Sequence, residues 1–203
     1  VYMLGKAGRQ FIGEHSQKAS RRRIFGLLTT HNVLVGEVAV GLMEALRTPQ
    51  ASAQLIVHGE RYVSFNWDGR SVKLRPDALF VLRLGESELP FFVELDTGSE
   101  SLDAFVTKQL SYNLYFRSNT WREHYRTFPG LLVVCAAKGD TEAERQRTAQ
   151  RRLDRIVGQI RDRRTEGGVK WFFTTLSALG TLEWKALVGR NEMRTIRLPL
   201  SET

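Results

Sequence analysis

Two apolar runs, Ala78 to Leu84 and Leu89 to Leu95, stand on either side of the turn-forming stretch Gly85-Glu86-Ser87-Glu88. Such a pattern reads as a buried β-hairpin. Closing it over those four residues pairs Leu84 with Leu89, Leu82 with Phe91, Phe80 with Val93 and Ala78 with Leu95. Asp77 then faces Asp96, and Leu79 faces Glu94. Side chains alternate between the faces of a strand. Ala78, Phe80, Leu82, Phe91, Val93 and Leu95 therefore fill one face, while Asp77, Glu94 and Asp96 share the other. The parity holds for any even-length turn and fails for an odd one.

Directly opposed residues bring their Cβ atoms to about 4.5–5.5 Å. Carboxylates that close repel unless protonated or bridged by a cation. Hard oxygen ligands in an open cluster suit Mg²⁺ or Mn²⁺, which also bind phosphate oxygens and activate water. The plainer alternative is that the aspartates end their strands in solvent, bonded to turn amides.

A helix is expected from about Glu100 to Arg117, running back over the sheet. Side chains on a helix lean toward its N-terminus. Lys108, about 12 Å along the axis, can thereby approach Glu94, with Tyr112 on the same face and Gln109 a neighbour. A cation there positions water or stabilises charge on a phosphoryl group; the alternative is a surface lysine. Leu102, Phe105, Val106, Leu110 and Leu114 read as core.

Upstream, apolar positions from Thr30 to Leu46 recur at helical spacing and stop before Pro49, with Thr29 or Thr30 as cap. Residues 13–24 read as a polar basic linker. Short strands are expected at Gln54–His58, Tyr62–Phe65 and Val72–Leu74. Leu131 to Ala136 reads as a doubly buried strand, followed by a helix from about Thr141 to Arg164 and a strand over Val169–Thr174. This order implies an α/β fold, a mixed sheet with helices packed against it.

The 203 residues carry 30 Lys+Arg against 22 Asp+Glu, a net charge of +8. A basic surplus fits a phosphate-rich partner such as DNA, because cations gain by displacing condensed counterions. Arg21, Arg22 and Arg23 form one cluster, and Arg151 and Arg155 share a helix face with Arg147. Both groups are candidate nucleic-acid contacts, and a solvated surface is the alternative. The single cysteine excludes an internal disulfide and fits a reducing compartment, hence a cytoplasmic location. No apolar run reaches the roughly 20 residues of a membrane span, and no signal peptide opens the chain. The first residue is Val, consistent with an absent upstream portion. The four histidines lack metal-ligand spacing, Cys135 reads as inert core, and no glycine-rich loop matches a nucleotide-binding motif.

Arg75-Pro76-Asp77, Glu94-Leu95-Asp96-Thr97-Gly98-Ser99-Glu100, Lys108 and Tyr112 together resemble the replication-relaxation family of plasmid and mobile-element proteins, over about Tyr2 to Thr175. The resemblance implies an N-terminal winged helix-turn-helix, whose last strand and helix would be Tyr2 to Arg9. Residues 1–24 would then be the end of that domain plus linker, and residues 25–203 a second domain.

The same order of acids is similar to the PD-(D/E)xK nucleases. That similarity implies a restriction-endonuclease-like mixed sheet flanked by helices, with Asp77 and Glu94 as metal ligands. The third motif position, ordinarily Lys, is Asp96, and Lys108 is the candidate for a lysine displaced to the next helix. Glu37 or Glu44 could supply an additional acid. Two functions follow. One is a Mg²⁺- or Mn²⁺-dependent DNA endonuclease or nickase using Asp77, Glu94, Asp96 and Lys108. The other is a catalytically inactive nuclease-fold scaffold that binds DNA or forms a homodimer.

Overall fold

A computed structural model describes residues 21–47, 53–58, 62–163, 168–188 and 192–198. The expected winged-helix strand and helix at Tyr2 to Arg9, and most of the expected linker, lie outside these residues. Two compact units divide the chain, Val1–Val33 and Leu34–Thr203. Helix α1 spans Arg21–Leu46, starting well before the expected cap at Thr29 or Thr30, so Arg21, Arg22 and Arg23 fall in its first turn instead of a linker. The part of α1 belonging to the second unit buries Val38, Ala39, Leu42 and Leu46 at i, i+1, i+4 and i+8, the apolar stripe of a helix lying on a core.

The second unit is built on a seven-stranded sheet. Its strands are β1 (Ala53–His58), β4 (Ala78–Leu84), β5 (Ser87–Asp96), β6 (Gly130–Cys135), β7 (Trp171–Thr175), β8 (Glu183–Val188) and β9 (Glu192–Arg197), neighbours in that order. The centre, β5-β6-β7, is parallel, whereas the outer pairs are antiparallel. Helix α2 (Leu102–Ser118) connects β5 to β6, and α3 (Glu142–Arg163) connects β6 to β7. Two successive crossovers of the same hand between adjacent parallel strands put both helices on one face. A smaller antiparallel ribbon, β2 (Val63–Trp67) with β3 (Arg70–Leu74), lies outside the main sheet. The mixed α/β architecture matches the expectation and is consistent with a restriction-endonuclease-like fold.

Each sheet face has its own core. One gathers Ala78, Phe80, Leu82, Phe91, Val93 and Leu95 with α1 and Trp184. The other gathers Leu79, Phe92, Val133 and Cys135 with α2 and α3. The alternation read from sequence is the alternation found. The register is not. Leu84 pairs with Ser87 and Ala78 with Val93, so the turn holds only Gly85 and Glu86, with Gly85 at φ 55°. Glycine at the first position of a two-residue turn supplies the backbone sign that matches strand twist. The pairing therefore slides by two residues, which preserves every face because the side-chain period is two.

Candidate functional site

The slide changes which acids meet. Continuing the observed register beyond Ala78–Val93 sets Asp77 beside Glu94 rather than Asp96. The backbone N–H of Asp77 donates to the Val93 carbonyl at 3.0 Å. Its Oδ2 accepts from the Leu95 N–H at 2.8 Å.

Glu94 lies within β5 with no exposed surface. Lys108 Nζ donates to its Oε2 at 2.7 Å, and the Tyr112 hydroxyl donates to its Oε1. Both donors come from one face of α2, since positions four apart on a helix are neighbours. The lysine side chain stays one-third exposed, so its ammonium sits between the buried carboxylate and solvent. Burial pushes the Glu94 carboxyl up to about 7. Lys108 pulls against that rise and the nearby charge of Asp77 adds to it. Water is lost to the ionised form faster than one lysine and one hydroxyl replace it. Burial alone would lower Lys108, but the charge and hydrogen bond of Glu94, with the charges of Asp77 and Glu100, together raise it. Gln109 is fully buried beside this pair, with neither amide atom hydrogen-bonded among the described residues.

Asp96 sits two residues on, at the end of β5, and belongs to a different network. Arg152 of α3 grips it through Nε to Oδ2 at 2.7 Å and Nη2 to Oδ1 at 3.2 Å, a two-pronged contact. Arg152 also donates to the Glu100 carbonyl at 3.1 Å. Oδ1 of Asp96 accepts the Gly98 N–H at 3.1 Å, a local turn that leaves Gly98 at φ 73°, the left-handed region that favours glycine. Three residues later the Ser101 hydroxyl accepts the Ala104 N–H at 3.2 Å and starts α2. The Asp96-x-Gly98 spacing thus has a structural cause: it turns the chain off the strand and into the helix that carries Lys108.

The three acids do not converge as the sequence suggested. Asp77 and Glu94 are neighbours, and Asp96 is drawn away to Arg152. Among the described residues no group of three His, Cys, Asp or Glu side chains is placed to hold a metal together, so a three-carboxylate cage does not fit. A pair remains. Mg²⁺ is commonly held by one or two carboxylates, with water and substrate phosphates completing its shell. Each Glu94 oxygen makes one hydrogen bond and keeps further lone-pair capacity, so Asp77 and Glu94 fit that smaller demand.

Glu37 and Glu44 are exposed on α1, which packs on the sheet face opposite Glu94. Neither joins the site. Arg151 and Arg155 are exposed on α3. Its buried stripe is Ala149, Leu153, Ile156 and Ile160, so Arg147, Arg151 and Arg155 point the opposite way. No carboxylate forms an ion pair with these three among the described residues. Arg152 was missed by sequence reasoning, although that stripe carries the signal. A residue one position before Leu153 flanks the buried face and can turn toward the sheet. Cys135 is buried, and burial pushes its thiol up, in keeping with an inert core residue.

Fold and site together define a mixed α/β protein whose parallel centre presents an acid pair and a lysine at the end of its second sheet strand in chain order after the ribbon. Comparison with family models matches residues 1–131 to replication-relaxation. The chain belongs to the replication-relaxation family, which points to a role in replication or mobilisation of plasmids or mobile elements. The match takes in Asp77, Glu94, Lys108 and Tyr112 and stops short of Arg152. No curated protein and no solved structure matches the chain. Among the described residues no helix is long and apolar enough to cross a membrane.

Proposed function

We propose that this chain acts on DNA in plasmid or mobile-element replication or mobilisation, as a divalent-metal-dependent endonuclease or nickase. One observation carries the reading: Lys108 reaches Glu94 at 2.7 Å beside Asp77, while Asp96 is withdrawn into its pair with Arg152. In this reading Lys108, from the following helix, takes the role of the lysine expected two residues after the glutamate. Mg²⁺ or Mn²⁺ held by Asp77 and Glu94 would polarise a phosphoryl oxygen and lower the pKa of bound water. Lys108 orients the Glu94 carboxylate and brings a positive charge to the solvent side, where charge develops on a phosphoryl group. Tyr112 fixes the other carboxylate oxygen. Arg151 and Arg155 would contact the sugar-phosphate backbone, which positions a duplex without reading its sequence.

The test is cleavage of supercoiled plasmid with Mg²⁺ or Mn²⁺, comparing the chain with Asp77→Ala and Glu94→Ala. Nicked or linear product that disappears in both variants supports the reading; cleavage that survives both excludes this site. A second reading is favoured by the sealing of Glu94, which has no exposed surface and both oxygens engaged. In it the nuclease-like core is a DNA-binding or dimerisation scaffold. Salt-sensitive DNA binding without cleavage under either metal would support that reading instead.

A further inference from the structure

Helix α2 carries a buried amide that the surrounding side chains leave unused. Gln109 has no exposed surface, and neither its Oε1 nor its Nε2 has a hydrogen-bond partner among the described residues. It stands inside the buried stripe of α2 with Phe105, Val106 and Tyr112, a place where an apolar side chain packs without loss. An amide there is costly, because its hydration is gone and no protein group replaces it. The sheet face beneath the helix brings Leu79, Phe92 and Val133 into the same core. None of these side chains can donate or accept a hydrogen bond.

Glu94 lies on that sheet face and is held from the same turn of helix, by Lys108 through Nζ and by Tyr112 through its hydroxyl. Successive residues on a helix are turned by about 100°, so Gln109 stands about 60° round from Tyr112 and lies between Lys108 and Tyr112 along the axis. Lys108 and a divalent cation repel when they share one carboxylate. The lysine is the group that yields, since its stem is flexible and its side chain one-third exposed. Tyr112 then holds Glu94 alone, in a place with no exposed surface, where a lost hydrogen bond counts for more than in water. The Gln109 amide is a donor without charge, so it does not oppose a cation on the same carboxylate.

We propose that Gln109 is a positioning residue of the acid pair, whose amide takes over the Glu94 carboxylate from Lys108 when a divalent cation occupies the site. The lysine ammonium is thereby released to the solvent side, and the buried carboxylate keeps two hydrogen-bond donors. In the metal-free fold the amide is held in reserve at a cost in stability, which the loaded state recovers. This inference rests on the metal-dependent reading of Asp77 and Glu94 and adds to it the group that lets a buried acid change partners.

The experiment uses the full chain and Mn²⁺ alone. Denaturant unfolding in metal-free buffer reads stability, and the electron paramagnetic resonance signal of free Mn²⁺ reads affinity. Gln109→Met, which keeps the volume and removes the amide, is expected to raise the unfolding midpoint and to weaken Mn²⁺ binding about tenfold. A packing role alone gives no reason for the two readouts to move in opposed directions. Asn113→Leu is the companion variant. Asn113 is also buried with Oδ1 unpartnered among the described residues, but it is turned about 100° from Tyr112 and about 140° from Lys108, so Mn²⁺ affinity should stay at the parent value. A Gln109→Met midpoint that is unchanged or lowered, an unchanged Mn²⁺ affinity, or an equal loss in Asn113→Leu overturns the proposal. The metal reading itself still stands in those cases if Asp77→Ala abolishes Mn²⁺ binding. A parent chain that binds no Mn²⁺, or whose binding survives Asp77→Ala, overturns both.

Discussion

Glu94 and Asp96 leave the same strand on the same face, each buried and each paired with one cation, yet their surroundings differ in kind. Glu94 is met by a lysine that remains one-third exposed and by a tyrosine hydroxyl. Asp96 is met by a two-pronged arginine that is 17% exposed, and by the backbone of its own turn. A point charge on a flexible stem can be displaced or share its partner. A planar guanidinium matched to a carboxylate is a fixed joint. The contrast separates an acid held by a displaceable lysine from one that anchors α3 and the β5–α2 turn to the sheet.

The strongest challenge to that contrast is Arg152→Ala, which leaves Asp96 buried without its partner. A loss of about 3–5 kcal/mol in stability is expected, read by denaturant unfolding. Arg152→Met combined with Asp96→Asn should recover much of it. Next in size is a pH effect on Glu94, measured by unfolding in metal-free buffer. Its carboxyl is raised from 4.5 to about 7, so the folded state holds its proton more tightly than the unfolded chain does. The stability contributed is complete below about pH 4.5 and is lost as pH rises toward 7, by roughly 3 kcal/mol. Glu94→Gln should flatten that slope, and an unchanged slope would show that another group carries it.

Lys108→Met is expected to cost less than Arg152→Ala, about 1–3 kcal/mol at neutral pH, because Glu94 can take up a proton when its lysine is lost. The deficit should shrink toward pH 5, and under the proposed endonuclease reading metal-dependent plasmid cleavage should be lost at either pH. Equal losses for Lys108→Met and Arg152→Ala would erase the distinction between the two acids. The smallest effect belongs to Tyr112→Phe, about 1 kcal/mol by thermal or denaturant unfolding. Loss of its hydrogen bond to the carboxylate should raise the Glu94 titration further, observable by carbon NMR of the side chain.

Much of the architecture was legible in the chain. Strands Ala78–Leu84 and Gly130–Cys135 and helices Leu102–Ser118 and Glu142–Arg163 fall within a residue or two of their expected limits. Their apolar periodicity is long or unbroken enough to dominate. The ribbon and β1 were also visible, with ends shifted by one or two residues. Strands β8 and β9 went unread. In β8, Trp184, Ala186 and Leu187 alternate imperfectly with Glu183 and Lys185, and β9 is an edge strand of mixed charge. Both owe their place to pairing with β7 and with each other. The start of α1 was misplaced because Arg21-Arg22-Arg23 has no apolar periodicity to mark a helix.

Periodicity along the chain was enough to assign the faces: which residues of the hairpin meet α1 and which carry the acids. It could do so because alternation with period two survives any even shift of register. Which acid meets which group depends on how the folded elements dock. The two-residue turn at Gly85-Glu86 sets Asp77 beside Glu94. Lys108 lies 14 residues from Glu94, and Arg152 lies 56 from Asp96. Those cations arrive where they do because α2 and α3 bury their apolar stripes on the same sheet face. Local sequence sets the stripes, but the docking of the stripes on the sheet sets the pairings.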